Sequence, residues 1–274
     1  MHRFYLTPEQ SRGPVLFLEA EEAHHAYHVL RLEPAQKVEI LNGVGEIITC
    51  EVRASNKSSL ELVALSRKVC APLPCPITLV QALPKGKLFE DIVEKATELG
   101  VSCIVPLISE RVISRPEGED ALRKLAKWQR TAIEALKQSG AAWLPGISPP
   151  TTLARHLAGA SHVDLAFLAS LQPDACELRE CVARYHETHR RAPRSVSLWI
   201  GPEGDFSLTE IEQIAREAGA RQICLGPWVL RTETATIAGL AMLNHELRQN
   251  VSQTGRSLQE SAIGEKSVSA VKGF

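Results

Sequence analysis

The chain has 274 residues, 44% of them hydrophobic, and a formal net charge of −1 at pH 7. That length accommodates two domains and a substantial core, while near-neutrality excludes a molecule that holds nucleic acid through charge spread over its whole surface. No uninterrupted apolar run approaches the roughly 20 residues of a membrane helix, and the start, Met1-His-Arg-Phe-Tyr-Leu-Thr-Pro8, is too short and polar for a signal peptide.

A cytoplasmic chain with no membrane partner is therefore expected. Seven cysteines stand at positions 50, 70, 75, 103, 176, 181 and 224, with no Cys-x-x-Cys pair and no zinc-type Cys/His spacing. They read as reduced, mostly buried thiols, and no metal is expected.

In chain order, residues 1–72 alternate short β-like runs with turns. Lys37 to Val52 is one example, and Asn42-Gly43 marks a hairpin within it. This is a small, mainly β domain. One helical insertion is predicted from Glu19 to Leu32, carrying His24, His25 and His28. Cys70-Ala-Pro-Leu-Pro-Cys-Pro76 reads as an interdomain linker.

Residues 73–248 switch to strand-then-helix alternation, the mark of an α/β sheet: Ile77–Ala82, Leu88–Leu99 closed by Gly100, Cys103–Leu107 and Asp120–Ser139. Ala166–Leu171 is another strand candidate, followed by a polar segment whose Arg184, Arg190, Arg191 and Arg194 are expected on a solvated face. Val196–Ile200 and Arg221–Leu225 read as buried strands. Ser207-Leu-Thr-Glu210 fits a capping box that opens a helix running to about Gly219. A last apolar helix runs from Thr234 to about Arg248. Residues 249–274, rich in Ser, Gln and Lys, are expected to be disordered.

The chemistry concentrates in the last third. Gly201-Pro-Glu-Gly-Asp-Phe-Ser207 and Leu225-Gly-Pro-Trp-Val-Leu-Arg-Thr-Glu-Thr-Ala235 each follow a buried strand and each open a helix. Ligands in open α/β sheets sit beyond the carboxyl ends of such strands, so the two loops are expected to be paired lips of one site. A Gly/Pro-rich backbone approaches a planar ligand closely, and its amides read ring edges. No phosphate-binding motif is present, since Gly43-Val-Gly45 continues as Glu-Ile-Ile within a hairpin. A nucleoside without phosphates fits better than a nucleotide.

In this order the two loops resemble the cofactor site of the SPOUT methyltransferases, and specifically the RsmE family, which methylates N3 of a uridine in small-subunit (16S) ribosomal RNA. Met1-His-Arg-Phe-Tyr-Leu, the His-x-x-His-Val-Leu-Arg of residues 25–31, Leu83-Pro-Lys-Gly86, Lys95-Ala-Thr-Glu-Leu-Gly100 and Gln138-Ser-Gly140 are similar to that family's landmarks, and the likeness spans residues 1–248. It implies a PUA-like β-barrel before a SPOUT domain with a deep trefoil knot, bound S-adenosylmethionine, and a homodimer. The implied cofactor-binding residues are Leu168, Ser170, Ile200, Gly201, Pro202, Glu203, Gly204, Leu225, Gly226, Val229, Leu230, Thr234 and Ala235.

Uridine N3 carries a proton and is a poor nucleophile, so it needs deprotonation or electrostatic help. Arg231 is the leading catalytic candidate, because a guanidinium stays protonated and presents a fork of donors to the uracil carbonyls. Glu233 is the alternative as general base, although capping the last helix is the favoured reading of it. Glu203 has the same two faces: holding ribose hydroxyls, or satisfying nearby amides.

Candidate RNA contacts are Arg3, His25, His28, Arg31, Lys85, Lys87, Arg111 and Arg130, with Arg115, Arg123, Lys124 and Lys127 extending the central basic cluster. His24, His25 and His28 have helical spacing, but no carboxylate completes a His-Glu-x-x-His site. For Trp128 and Trp143, core packing is expected ahead of base stacking.

Three departures mark this chain. Lys137-Gln-Ser-Gly-Ala141 stands where the family commonly has Glu-Gln-Ser-Gly-Arg, Asp205 where glycine is usual, and Trp228 where arginine is common. The rival readings are a catalytically silent RNA-binding SPOUT protein and a methyltransferase acting on another RNA such as tRNA.

Overall fold

The computed structural model describes residues 1–56, 58–159 and 162–248. The tail expected to be disordered, 249–274, lies outside the described residues.

The N-terminal part contains β1 (His2–Tyr5), β2 (Val15–Glu19), α1 (Ala20–His24) continued by a single π-turn over His25–Val29, then β3 (Lys37–Leu41), β4 (Glu46–Ser55) and β5 (Ser59–Val69). The strands form one sheet in the order β1-β3-β4-β5-β2, with β1 parallel to β3 and the rest antiparallel. Alternation sends Val38, Ile40, Ile48, Cys50, Val52, Leu60 and Leu62 to one face. There they form a core with Phe4, Leu16 and Leu18. Two register shifts between β4 and β5 let the sheet curl around that core. The barrel is an open one, with β1 and β2 as its edges.

The Asn42-Gly43 turn connects β3 to β4, and Asn42 Oδ1 accepts from the amides of Val44 and Glu46, both over 3.0 Å.

The second part runs β6 (Ile77–Ala82), α2 (Leu88–Glu98), β7 (Cys103–Ile108), α3 (Gly118–Ser139), β8 (Gly146–Ile147), β9 (Thr151–Thr152), α4 (Leu153–Gly159), β10 (Leu165–Ala169), β11 (Cys176–Glu177), α5 (Leu178–His189), β12 (Val196–Ile200), α6 (Leu208–Glu217) and β13 (Arg221–Cys224). A final helix, α7, covers residues 232–248. The sheet order is β11-β13-β10-β12-β6-β7-β8, with β9 also on β7, and every pairing is parallel. Helices cover both faces of such a sheet, which is why Val196-Ser-Leu-Trp-Ile200 is buried throughout rather than alternating. Trp128 packs on Phe89 with ring centroids 4.5 Å apart, as core residues of α3 and α2.

The two parts are tied at the end of α3. Gly140 ends the helix at φ +75°, leaving room for Arg3, whose Nη1 donates to Gln138 O over 3.0 Å and to Lys137 O over 3.4 Å while Nε meets Glu39 over 3.1 Å. The Lys137 ammonium bridges Glu22 and Glu134 at 2.7 and 2.8 Å. Burial alone pushes its pKa down, but those two carboxylates outweigh it and the net shift is upward. The Gly45 and Leu144 amides and the Trp143 indole N–H complete the junction, the indole donating to Cys70 O over 3.0 Å.

Two expectations are corrected. Cys176 and Cys181 are joined as a disulfide, because the first turn of α5 carries Cys181 back over Cys176, which opens β11. Of the five free cysteines only Cys50 and Cys75 are buried; burial pushes their thiols up to about 11 and about 12. Arg191 is also not a loose surface charge. It grips Asp164 through both terminal nitrogens at 2.6 and 3.0 Å, and the Arg194 amide donates to the same carboxylate. The Arg191 hydrogen bonds, then that amide, hold Asp164 well below the usual carboxylate range.

Among the described residues no helix is long and apolar enough to cross a membrane.

Candidate active site

The carboxyl ends of β10, β12 and β13 converge on a cavity of about 670 Å³, inside the range of small-ligand sites. Ala169 and Ser170 contribute from β10 and residues 200–203 from β12. Residues 224–233 and Ala235 follow from β13 and the start of α7. The two Gly/Pro-rich loops are thus opposite walls of one space, as their sequence context predicts.

The first lip is held from several directions. Asp205 adopts φ +58°, a conformation that glycine, and after it Asn and Asp, accept most readily. Its Oδ1 accepts from the Phe206 amide over 2.8 Å, and its own amide donates to Pro202 O over 2.9 Å. The capping box follows: Ser207 Oγ accepts from the Glu210 amide, and Glu210 Oε2 accepts from the Ser207 amide. Buried Glu210 also takes the Glu110 amide on Oε1 over 2.8 Å, and Arg111 donates to Gly204 O over 2.6 Å. Glu203 Oε1 accepts from the Lys85 amide over 2.9 Å.

In the second lip Gly226 takes φ +137°, and its amide and carbonyl lie 3.4 and 3.1 Å from Cys224 Sγ. Trp228 and Val229 stand 78% exposed on the rim. Arg231 is exposed at the mouth, immediately before the first turn of α7, which contains half-exposed Glu233. Ser170 Oγ donates to Gln222 Oε1 over 2.6 Å, which fixes the β10 end of the wall.

The RNA methyltransferase domain family matches residues 71–244, and the RNA methyltransferase PUA domain matches residues 18–65. The chain belongs to this family of RNA methyltransferases. The ribosomal RNA small subunit methyltransferase E of Aquifex aeolicus is 32% identical over 246 residues, covering 89% of this chain and 99% of that one. The protein of the same name from Synechocystis is 29% identical over 243 residues, covering 89% and 77%. A crystal structure of ribosomal RNA small subunit methyltransferase E from Neisseria gonorrhoeae bound to S-adenosyl methionine superposes with a TM-score of 0.77 at 31% identity, over 89% of this chain and 97% of that one.

Within this RNA methyltransferase fold, Ser170, Ile200, Gly201, Pro202, Glu203, Leu225, Gly226, Val229, Leu230, Arg231, Glu233 and Ala235 all line the cavity. Three expected cofactor residues do not. Leu168 is fully buried in the core, as its neighbours Ala166 and Phe167 on β10 are. Gly204 faces the Arg111 side chain on the outer side of its turn, and Thr234 is exposed on α7.

Arg3 is committed to Glu39 and the end of α3, so it serves the domain junction rather than a free RNA contact. Arg111 buttresses the first lip. Arg115 donates to Ser109 O and Glu110 O, Arg123 and Lys124 meet Asp120, and Lys127 meets Glu90. Arg130, Lys85 and Lys87 remain exposed side chains, as do His25, His28 and Arg31 on the N-terminal part. The His28 ring sits 4.5 Å from His24 and 5.0 Å from Tyr27. Among the described residues no three His, Cys, Asp or Glu side chains cluster in a way that holds a metal.

Sequence reading missed Gln81, Thr232, Thr236 and Gln222 as parts of the site's frame. A signal existed for the first, an amide side chain inside the apolar run Ile77-Thr-Leu-Val-Gln-Ala82.

Proposed function

We propose that the chain is an S-adenosylmethionine-dependent 16S rRNA (uracil-N3)-methyltransferase. The observation that carries this reading is the cavity between the two lips, with the Arg231 guanidinium at its mouth. The residues present fit a nucleoside-type donor: the cavity is walled by apolar Ile200, Pro202, Leu225, Val229 and Leu230 with Gly201 and Gly226 between them, and a Cβ on Gly201 would sit 2.8 Å from Asp205 Oδ1 and 3.1 Å from the Phe206 amide, so the first lip requires glycine there to keep its close-packed turn. The relatives' names and the bound donor in the gonococcal structure support the same cofactor.

Bound S-adenosylmethionine supplies an electrophilic sulfonium methyl. The protein's task is to make uridine N3 able to attack it. Arg231 donates to the uracil carbonyls and stabilises the negative charge that spreads over them as N3 gives up its proton to solvent water at the open mouth; once the bound RNA covers that mouth, such donors contribute on the order of 10²–10³ in rate. Glu233 lies in the first turn of α7, where unpaired amides favour a carboxylate, and acts as a cap.

Further parts of the reading are a trefoil knot, a homodimer, a cytoplasmic setting and a division near residue 72 between the RNA-positioning and catalytic domains. The knot is supported by the packing of the 225–236 segment against both the 201–205 loop and central β6. The dimer is supported by exposed Leu171, Trp228, Val229 and Ile237, which a second copy would cover. Exposed His25, His28, Arg31, Lys85, Lys87 and Arg130 are the proposed RNA contacts, with small-subunit ribosomal RNA as the partner.

Methyl at uridine N3 blocks base pairing and halts reverse transcriptase. A strain lacking this gene loses one stop in small-subunit RNA; an unchanged pattern of stops overturns the assignment.

A further inference from the structure

Behind the lips, three polar side chains meet where an apolar core would pack as well. Gln81, at the carboxyl end of β6, and Thr236, in α7, are 0% exposed, and Thr232 is 5% exposed. Gln81 Nε2 donates to Ala82 O and to Thr232 Oγ1, each over 3.0 Å. Thr232 Oγ1 donates to Gly201 O over 2.7 Å, and the single proton of the Thr236 hydroxyl is shared between Gln81 Oε1 at 2.6 Å and Thr232 O at 2.8 Å.

The direction of this chain is fixed. A carbonyl only accepts, so Ala82 O compels the Gln81 amide to present its NH₂ side. Thr232 must then accept from Gln81 and pass its own proton to Gly201. The Thr232 side chain, on the residue that follows Arg231, thereby joins Gly201, which opens the first lip, to Gln81 of β6.

A buried amide and two buried hydroxyls contribute little net stability over apolar replacements, but a fully satisfied network selects one geometry. We propose that Gln81 and Thr232 are positioning residues that hold the two lips in the register methyl transfer requires. This rests on the methyltransferase reading above and adds residues outside the reacting groups.

The test compares full-length Thr232→Val, Thr232→Ser and Gln81→Met with the parent chain by calorimetry with S-adenosylmethionine and by steady-state methylation of small subunits, at a temperature well below each variant's melting point. Thr232→Val and Gln81→Met are expected to weaken donor binding and lower kcat, each about tenfold, the scale of one buried hydrogen bond lost with its partner left unpaired. KM for the RNA stays within about twofold, and Thr232→Ser, which keeps both bonds, restores both values.

A merely structural role predicts a lower melting point with donor affinity and kcat unchanged, and that result overturns the proposal. If Thr232→Val and Gln81→Met do not fold, Thr236→Val removes the donor to Gln81 Oε1 while keeping the Thr232–Gly201 bond. It is expected to lower the same two values about threefold; no change there also overturns the proposal. A parent chain that neither binds the donor nor methylates strikes the methyltransferase reading itself, before any variant is compared.

Discussion

The Lys85 backbone amide donates to Glu203 Oε1 over 2.9 Å, so the first lip is anchored by its own carboxylate to the loop that follows β6. Of the two roles open to Glu203 in the sequence, the structure shows the amide-satisfying one. Glutamine retains an accepting oxygen. Glu203→Gln is therefore expected to keep donor affinity within about twofold, while Glu203→Ala loses about five- to tenfold by calorimetry. Equal losses in both would assign the carboxylate's charge to the ligand instead.

Gly201 and Asp205 form a second fixed pair. Gly201→Ala places a methyl 2.8 Å from Asp205 Oδ1 and 3.2 Å from Asp205 Cα, and the lip must shift. Donor binding is expected to fall at least tenfold, with a stability cost of about 1–3 kcal/mol. Asp205→Ala keeps the unfavourable φ and deletes the bond to the Phe206 amide, and it is expected to cost about 1–2 kcal/mol in denaturant unfolding.

Lys137 stands in place of an acid and is 14% exposed between Glu22 and Glu134. Lys137→Glu sets three carboxylates together and is expected to destabilise the junction by about 1–2 kcal/mol, with faster proteolytic cleavage in the 70–76 linker. Adding Glu22→Lys restores an opposite-charge pair and slows cleavage again. Cleavage that stays fast in the double variant would show that the pair does not hold the two parts together.

Asp164 gives a pH dependence with a definite sign. Its folded pKa is depressed, chiefly by the Arg191 hydrogen bonds, so the stabilisation is complete above the ordinary aspartate value of about 3.9 and is lost as pH falls through the lower folded value. Asp164→Asn is expected to lower Tm by roughly 3 °C at pH 7. That gap holds between about pH 5 and 8 and narrows below about pH 4. A gap unchanged at pH 3 would show that charge is not the cause.

Elements with strong local signals were legible in the sequence. The apolar run of β12, the Ser207–Glu210 capping box and both Gly/Pro loops stand in the structure where periodicity and turn chemistry placed them. Partners far apart in the chain were not. Arg3 reaches α3 across 135 positions, Gln81 reaches Thr232 across 151 and Arg191 reaches Asp164 across 27; local sequence carries no signal for such pairings. The strands β8, β9 and β11 have two residues each, too short for any period to show. Leu168, named from the family resemblance, lies fully buried on β10 between β12 and β13, a placement that tertiary pairing sets.

The most direct measurement incubates the purified full-length chain with S-adenosylmethionine and small subunits from a strain lacking this gene, then quantifies 3-methyluridine by mass spectrometry of the digested RNA. The parent chain is expected to form one methyl per subunit, Glu233→Gln to retain at least about a third of the rate, and Arg231→Ala to lose on the order of 100-fold or more. No 3-methyluridine from the parent chain, or an undiminished rate from Arg231→Ala, would contradict the catalytic role assigned to the mouth of this cavity.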